Sequence, residues 1–189
     1  MNVLCPCLQS KLQISHTQPP SLRRELQMTP KAFLRNIILP GTRRLKSVGG
    51  PPITSDGNRM LLAIALQESG CNARYQNSPS PSPGPARGWW QFEAGGGVTG
   101  VMTHPSSKEL ARRICITCNI VEETNAVWRA LEGHNMLACS FARLLLWTDP
   151  SPLPTTEDAG WNCYLNLWRP GAPRPDDWPG NWETATETT

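Results

Sequence analysis

Apolar residues recur at helical spacing through most of this chain, and the pattern predicts a mainly α-helical fold. The first helix is expected to begin at Thr29, whose hydroxyl can cap the following turn, and to be broken at Pro40. The same spacing predicts a run of further helices in the second half of the chain, which continues to Trp168. Residues 86–101 mix aromatic residues with glycines, so short strands and turns are expected there.

The two ends of the chain lack this periodicity. Residues 1–27 carry no sustained apolar face, and we expect a disordered or non-native extension, with Met28 as an alternative start. Residues 171–189 are rich in Pro, Asp and Thr and are expected to form an extended tail. The pattern therefore predicts one domain over residues 28–170, as the length of 189 residues also suggests.

Composition narrows the classes of function. The chain has 18 Lys and Arg residues against 15 Asp and Glu residues, a net charge of +3, which is small for a protein that binds nucleic acid through phosphate contacts. It contains no run of apolar residues long enough to span a membrane, and its first residues lack the parts of a signal peptide. We therefore expect no nucleic-acid partner, no stable membrane insertion and no signal peptide.

The seven cysteines are expected to be mostly reduced, because the number is odd and no export signal is seen. Cys115 and Cys118 have the spacing of a zinc or redox pair, but zinc needs two more ligands at ordered spacing. Both residues also lie on the apolar stripe of a predicted helix, which favours core packing. The sequence thus predicts no metal site and no cofactor.

One predicted helix carries a carboxylate on its apolar face. Gly70 ends this helix, in which a single stripe is formed by Leu61, Ile64, Ala65 and Glu68. Glu68 also lies at the helix C-terminus, where the helix dipole disfavours an anion. Burial and the dipole both raise the pKa of a carboxyl group, as a general acid requires near neutral pH. The alternative is a solvated last turn or a structural hydrogen-bond network.

A second informative segment, residues 88–92, reads Gly-Trp-Trp-Gln-Phe. Gly88 allows close approach of the backbone, and the rings of Trp89 and Trp90 have flat faces on which sugars can stack. Gln91 can both donate and accept hydrogen bonds. The segment is therefore a candidate floor for a saccharide groove, and a hairpin whose tryptophans pack in the core is the alternative.

These two segments together resemble the motifs of lysozyme-like lytic transglycosylases and goose-type lysozymes. In that family a catalytic Glu-Ser pair ends a buried helix, and Glu68-Ser69 matches this pair. A Gly-Leu-Met-Gln-like segment follows in the family, and residues 88–92 match it with Trp at both central positions. Around Tyr164 the order of residues differs from the family's Ala-Tyr-Asn motif. The resemblance spans residues 55–168, and the wider arrangement is similar to that of phage and prophage proteins.

The resemblance implies a lysozyme-like helical domain with a small irregular or β-rich segment. It also implies cleavage of the β-1,4 bond between N-acetylmuramic acid and N-acetylglucosamine in peptidoglycan, with Glu68 as the catalytic acid. Ser69 would steady Glu68, and Tyr164 would orient the acid and the sugar. The residues assigned to substrate binding are Ser69, Gly88, Trp89, Trp90, Gln91 and Tyr164.

Two reaction routes remain open. In a lytic transglycosylase Glu68 would act next as a base while the 6-hydroxyl of the sugar closes an anhydro ring, so no protein nucleophile is needed. An inverting hydrolase would need a second carboxylate to activate water, and Glu93 and Asp149 are the candidates.

The expected partners are peptidoglycan glycan strands and other phage proteins. The protein is expected in the cytoplasm of the producing cell or in a phage virion, and it would act at the bacterial cell wall. The rival hypothesis is a non-catalytic phage structural or glycan-binding protein that retains the fold. The altered order around Tyr164 favours the rival, whereas the place of Glu68 on an apolar stripe favours the enzyme.

Overall fold

The computed structural model of the protein describes residues 28–75 and 84–189, which are mainly helical. The predicted fold class is thereby confirmed at the level of a mainly α protein, and the predicted extension over residues 1–27 lies outside the described residues. No helix in the described part is both long enough and apolar enough to cross a membrane. The helices are α1 (Pro30–Phe33), α2 (Leu39–Ser47), α3 (Ser55–Ser69), α4 (Thr99–Thr103), α5 (Lys108–Thr117), α6 (Thr124–Gly133), α7 (Asn135–Trp147), α8 (Glu157–Trp168) and α9 (Trp178–Thr188).

Helices α1 and α2 follow each other without a break, joined by the π-helical segment Leu34–Ile38. The predicted break at Pro40 is therefore wrong. At the end of the π segment the N–H of Leu39 donates to the carbonyl of Leu34, five residues earlier. This wider turn accommodates a proline, which lacks an N–H and would crowd the preceding turn of a regular α-helix.

Helix α7 forms the centre of the hydrophobic core. All of its residues from 137 to 146 are buried, including Ser140 and Arg143. Gly41 of α2 allows the two helices to approach closely, because a Cβ at this position would lie 2.4 Å from the Cβ of Cys139. The helix α2 therefore packs directly on α7.

The segment between α3 and α5 contains no β-strand in the residues that the structure describes. Arg87 takes part in two isolated β-bridges, while Ala94–Val98 is π-helical and leads directly into α4. The expectation of strands over residues 86–101 is therefore wrong. Gly97 gives part of the reason, since a Cβ there would lie 2.6 Å from the ring of Phe92, so the helical turn packs directly on that ring.

Residues 171–189 do not form the predicted extended tail. Most of this segment is helix α9, whose Trp178, Trp182 and Ala185 are buried. These three residues lie at i, i+4 and i+7, and the face they form packs against α3. The prediction failed because Pro175, Asp176 and Asp177 form a short 3₁₀ turn before the helix, and Pro179 lies in the first turn of the helix, where proline is tolerated.

Candidate functional site

Helix α3 places Glu68 in its last turn. Thr54 caps the start of this helix by accepting a hydrogen bond from the Gly57 N–H at 3.1 Å, and Gly70 ends it in the left-handed conformation with φ of 60°. Leu61, Ile64 and Ala65 on the same stripe are fully buried. Glu68 continues this stripe and is half-buried, as the spacing predicted.

Tyr164 brings a phenol group to this carboxylate. Its O–H donates a hydrogen bond of 2.6 Å to Oε1 of Glu68. Tyr164 lies on α8, is 3% exposed, and stacks on Trp178 of α9 with 5.4 Å between ring centres and 13° between ring planes. The phenol is therefore held in place by an aromatic neighbour, and its contact leaves Oε2 of Glu68 for another partner.

Burial raises the pKa of the Glu68 carboxyl group above its ordinary value. The hydrogen bond from Tyr164 and the positive charge of Arg174 act in the opposite direction, but they are smaller than the effect of burial. Burial and the Glu68 charge raise the pKa of the Tyr164 phenol as well, so it remains a hydrogen-bond donor at neutral pH. The environment favours the protonated form of Glu68 more than solvent does.

Residues 174–181, which follow α8, are joined by hydrogen bonds to Gln67 near the end of α3, and we call them the latch segment. Arg174 donates from Nη2 to the carbonyl of Gln67 and from Nε to Oδ2 of Asp177 at 2.7 Å. The buried amide of Gln67 donates to the carbonyl of Arg174 at 2.8 Å and accepts from Nδ2 of Asn181 at 2.8 Å. Sequence reasoning missed this latch because residues 171–189 were assigned to a tail. The apolar stripe that begins at Trp178 was the signal that could have revealed it.

Ser69 does not contact Glu68 in the way the resemblance implied. Its Oγ lies within hydrogen-bonding distance of two carbonyl oxygens, that of Ala65 at 2.9 Å and that of Trp89 at 2.8 Å, which share its one proton. Ser69 therefore connects the end of α3 to the segment 88–92.

Trp90 is a core residue, so its assignment to a saccharide groove is wrong. Its side chain is fully buried, its indole N–H donates to the carbonyl of Leu61 at 2.8 Å, and its ring packs edge-on against Phe33. The backbone conformation and the contacts of Gly88 also indicate a structural role. It has φ of 74°, and a Cβ there would lie 2.7 Å from the carbonyl oxygen of Leu131.

Trp89 lies at the edge of the core. It is 5% exposed, and its indole N–H donates to Oδ1 of Asn135 at 3.0 Å. The guanidinium of Arg74 lies 4.5 Å from the centre of its ring, so one face of the indole is covered. Little of the Trp89 ring is open for the stacking of a sugar, although it contributes to the wall of a pocket described below.

Gln91 is half-buried and has an unusual backbone conformation, with φ of 48°. Its side-chain amide donates to the carbonyl of Gly88 at 2.8 Å, which closes the turn. The carbonyl of Trp90 in the same turn accepts from the indole N–H of Trp168 at 3.0 Å. Segment 88–92 is therefore a tight turn fixed to α3 and α8 on both sides.

Neither candidate for a second carboxylate is among the described groups that shift the pKa of Glu68. Glu93 is exposed at the start of the π-helical turn Ala94–Val98. Asp149 follows α7, and its Oδ1 accepts from the N–H of Ser151 at 2.8 Å.

The paired cysteines belong to the end of α5. Cys115 is fully buried and Cys118 is half-buried, and both are free thiols. Burial raises the pKa of Cys115 to about 12 and also raises that of Cys118, so neither is an activated nucleophile. No group of three or more residues suited to bind a metal occurs in residues 28–75 and 84–189.

The site thus joins one half-buried carboxyl group, one phenol donor and one nearby guanidinium, supplied by Glu68, Tyr164 and Arg174. A carboxyl group with a raised pKa, and with one oxygen that accepts no hydrogen bond from the described residues, is suited to deliver a proton to a ligand. No family model, no curated protein and no solved structure matches this chain. The chemistry of these side chains is therefore the basis for a functional proposal.

Proposed function

We propose that this protein is a glycosidase that cleaves the β-1,4 bond between N-acetylmuramic acid and N-acetylglucosamine in peptidoglycan, with Glu68 as its general acid. The observation that supports the proposal most strongly is the 2.6 Å hydrogen bond from Tyr164 to a half-buried Glu68 at the end of α3. The resemblance to the lysozyme-like family assigned roles to both residues, and they lie 96 positions apart in the chain.

In this mechanism the protonated carboxyl group of Glu68 donates its proton to the glycosidic oxygen as the bond breaks. Tyr164 donates its hydrogen bond to Oε1, so the proton of the Glu68 carboxyl group is carried on Oε2. After the leaving group departs, the carboxylate accepts a hydrogen bond from Tyr164 and is near the charge of Arg174, both of which stabilise the anion. The same carboxylate then acts as the base of the second step.

The lytic transglycosylase route fits this site better than an inverting hydrolase. The second step needs only the 6-hydroxyl of the muramic acid residue, whose oxygen attacks C1 while Glu68 takes its proton. An inverting hydrolase needs a second carboxylate about 6.5–9.5 Å from the acid. Among the described residues no carboxylate contributes to the pKa shift of Glu68, which favours the route that needs no second carboxylate.

A non-catalytic role remains the second candidate, and a specific observation favours it. Glu68, Tyr164 and Arg174 connect α3, α8 and the latch segment, which is what a structural network would do. Trp90, which the resemblance placed in the groove, is buried in the core. Under this hypothesis the protein is a phage structural or glycan-binding protein.

The proposal is tested by incubating the protein with purified peptidoglycan and analysing the soluble products by mass spectrometry. Transglycosylation yields 1,6-anhydro ends that lack one water relative to hydrolysis products. We expect anhydro products. Products with reducing ends and no anhydro ring would support a glycosidase but contradict the transglycosylase route. The absence of soluble product from cell walls of several bacterial types would contradict the proposal that the protein is an enzyme.

A further inference from the structure

A pocket of about 800 Å³ lies beside Trp89, next to the C-terminal ends of α3 and α6. Glu68 is not among the residues that line this pocket. One wall is formed by residues 72–75 together with Trp89, and the other by Arg129 and Glu132 of α6. The pocket thus combines an aromatic edge with charged groups.

The positive charges of this pocket exceed its negative charges. Arg74 and Arg129 both line it, and neither forms an ion pair with another residue in the described part of the chain. The pocket's carboxylate, Glu132, is already paired with Arg87 at 3.2 Å. Both guanidinium groups therefore lack a direct ion-pair partner in the described part of the chain, although Arg129 is near enough to Glu123 to lower the pKa of that carboxyl group, and the Glu132 carboxylate is paired with Arg87.

The arrangement of Arg74 indicates how a ligand would be recognised. Its guanidinium lies over the ring of Trp89 and its Nη1 donates to the carbonyl of Glu132 at 3.4 Å, so it is held in a defined position. A planar guanidinium offers parallel N–H donors that match the two oxygens of a carboxylate. Tyr75, 48% exposed at the edge of the pocket, adds an apolar ring and a phenol for the rest of the ligand.

We propose that this pocket binds the carboxylate of a ligand whose remaining part lies along Tyr75 and the edge of Trp89. The carboxylate pairs with Arg74 and Arg129. Two sources present this chemistry: small free carboxylates, and the peptide chains attached to peptidoglycan, a source that rests on the proposed function. The binding does not depend on catalysis by Glu68, so it can be measured in the Glu68→Gln protein, where an intact substrate stays uncleaved.

Isothermal titration calorimetry with matched probes tests the proposal. The probes are the tetrapeptide released from peptidoglycan, the same peptide with its carboxylates amidated, succinate and inorganic phosphate. We expect the tetrapeptide to bind, its amidated form to bind at least about tenfold more weakly, and the affinity to fall as salt is added. Succinate that binds as tightly as the tetrapeptide would assign the site to small free carboxylates, and preferential binding of the tetrapeptide would assign it to the wall peptide.

Substitution of Arg129 locates the binding. Arg129→Gln should weaken tetrapeptide binding by about tenfold or more, because a charge-assisted hydrogen bond is lost, and Arg129→Lys should recover only part of it. Arg43→Gln, an exposed arginine of α2 outside the pocket, is the matched control and should bind as the parent does. Arg129 is exposed, so the melting temperature should stay unchanged. Any one of three results would overturn the proposal. They are equal binding of the acid and amidated peptides, tighter binding of phosphate than of either carboxylate, and unchanged tetrapeptide binding in Arg129→Gln.

Discussion

The hydrogen bond between Tyr164 and Glu68 can be removed with little other change by Tyr164→Phe. The phenylalanine ring keeps the stacking on Trp178 and loses only the O–H that donates at 2.6 Å. This hydrogen bond stabilises the carboxylate form of Glu68, so its removal raises the pKa of Glu68 further. A hydrogen bond to a charged group contributes about 1.5–3 kcal/mol, and the part of this energy that depends on the charge of Glu68 is lost in the variant.

The assay is the pH dependence of peptidoglycan solubilisation. A general acid must be protonated in the free enzyme, so kcat/KM falls on the alkaline side as pH rises through the pKa of Glu68. In Tyr164→Phe this alkaline limb should move to higher pH, because the side-chain hydrogen bond that lowers the pKa of Glu68 is lost. Tyr75→Phe, at the other tyrosine of the chain, removes an exposed phenol and should leave the limb in place.

A second readout does not need activity. The Glu68 side-chain carboxyl carbon, followed by NMR in isotope-labelled protein, reports the same titration directly. If the pKa of Glu68 stays the same or falls in Tyr164→Phe, the reasoning about this contact is refuted. A lower melting temperature with no change in titration would point to a purely structural tyrosine.

Three further predictions concern stability and are measured by thermal unfolding. Trp178→Ala should lower the free energy of unfolding by about 3–5 kcal/mol, because a buried ring is lost and α9 is part of the core. A loss of less than about 1 kcal/mol would instead support the extended tail that the sequence predicted for residues 171–189. Gly88→Ala should lower the melting temperature through its positive φ and the contact with the carbonyl of Leu131, whereas Gly100→Ala, where a Cβ meets nothing within 4 Å, should not. The stability of Glu68→Gln relative to wild type should increase as pH rises from about 4.5, because a raised pKa means that ionisation of Glu68 destabilises the folded wild-type protein. A stability difference that stays constant with pH would contradict the raised pKa.

The sequence allowed the surroundings of Glu68 to be predicted because local rules determine them. Apolar spacing and the glycine at position 70 predicted α3 and its end, and the structure has the helix at Ser55–Ser69. The half-buried position of Glu68 follows from the same stripe. The contact of Glu68 with Tyr164 depends on packing between α3 and α8, and only the family resemblance suggested it.

Other features could not be predicted from local patterns. Trp89 and Trp90 are adjacent and chemically identical, yet one lies at a pocket edge and the other in the core, because the turn of residues 88–92 directs the second ring beneath α3. The latch between Arg174 and Gln67 joins residues 107 positions apart. Such contacts depend on tertiary packing, and composition alone led to the wrong assignment of residues 171–189.

The most direct test of the central claim is the solubilisation of purified peptidoglycan by Glu68→Gln. Glutamine keeps the size of the side chain and can still accept the hydrogen bond from Tyr164, but it has no carboxyl proton to deliver. We expect activity to fall at least about a hundredfold while folding is retained. Glu183→Gln, an exposed glutamate of α9, is the matched control and should keep full activity. Equal solubilisation by wild type and Glu68→Gln would show that the acid is not Glu68 and contradict the account.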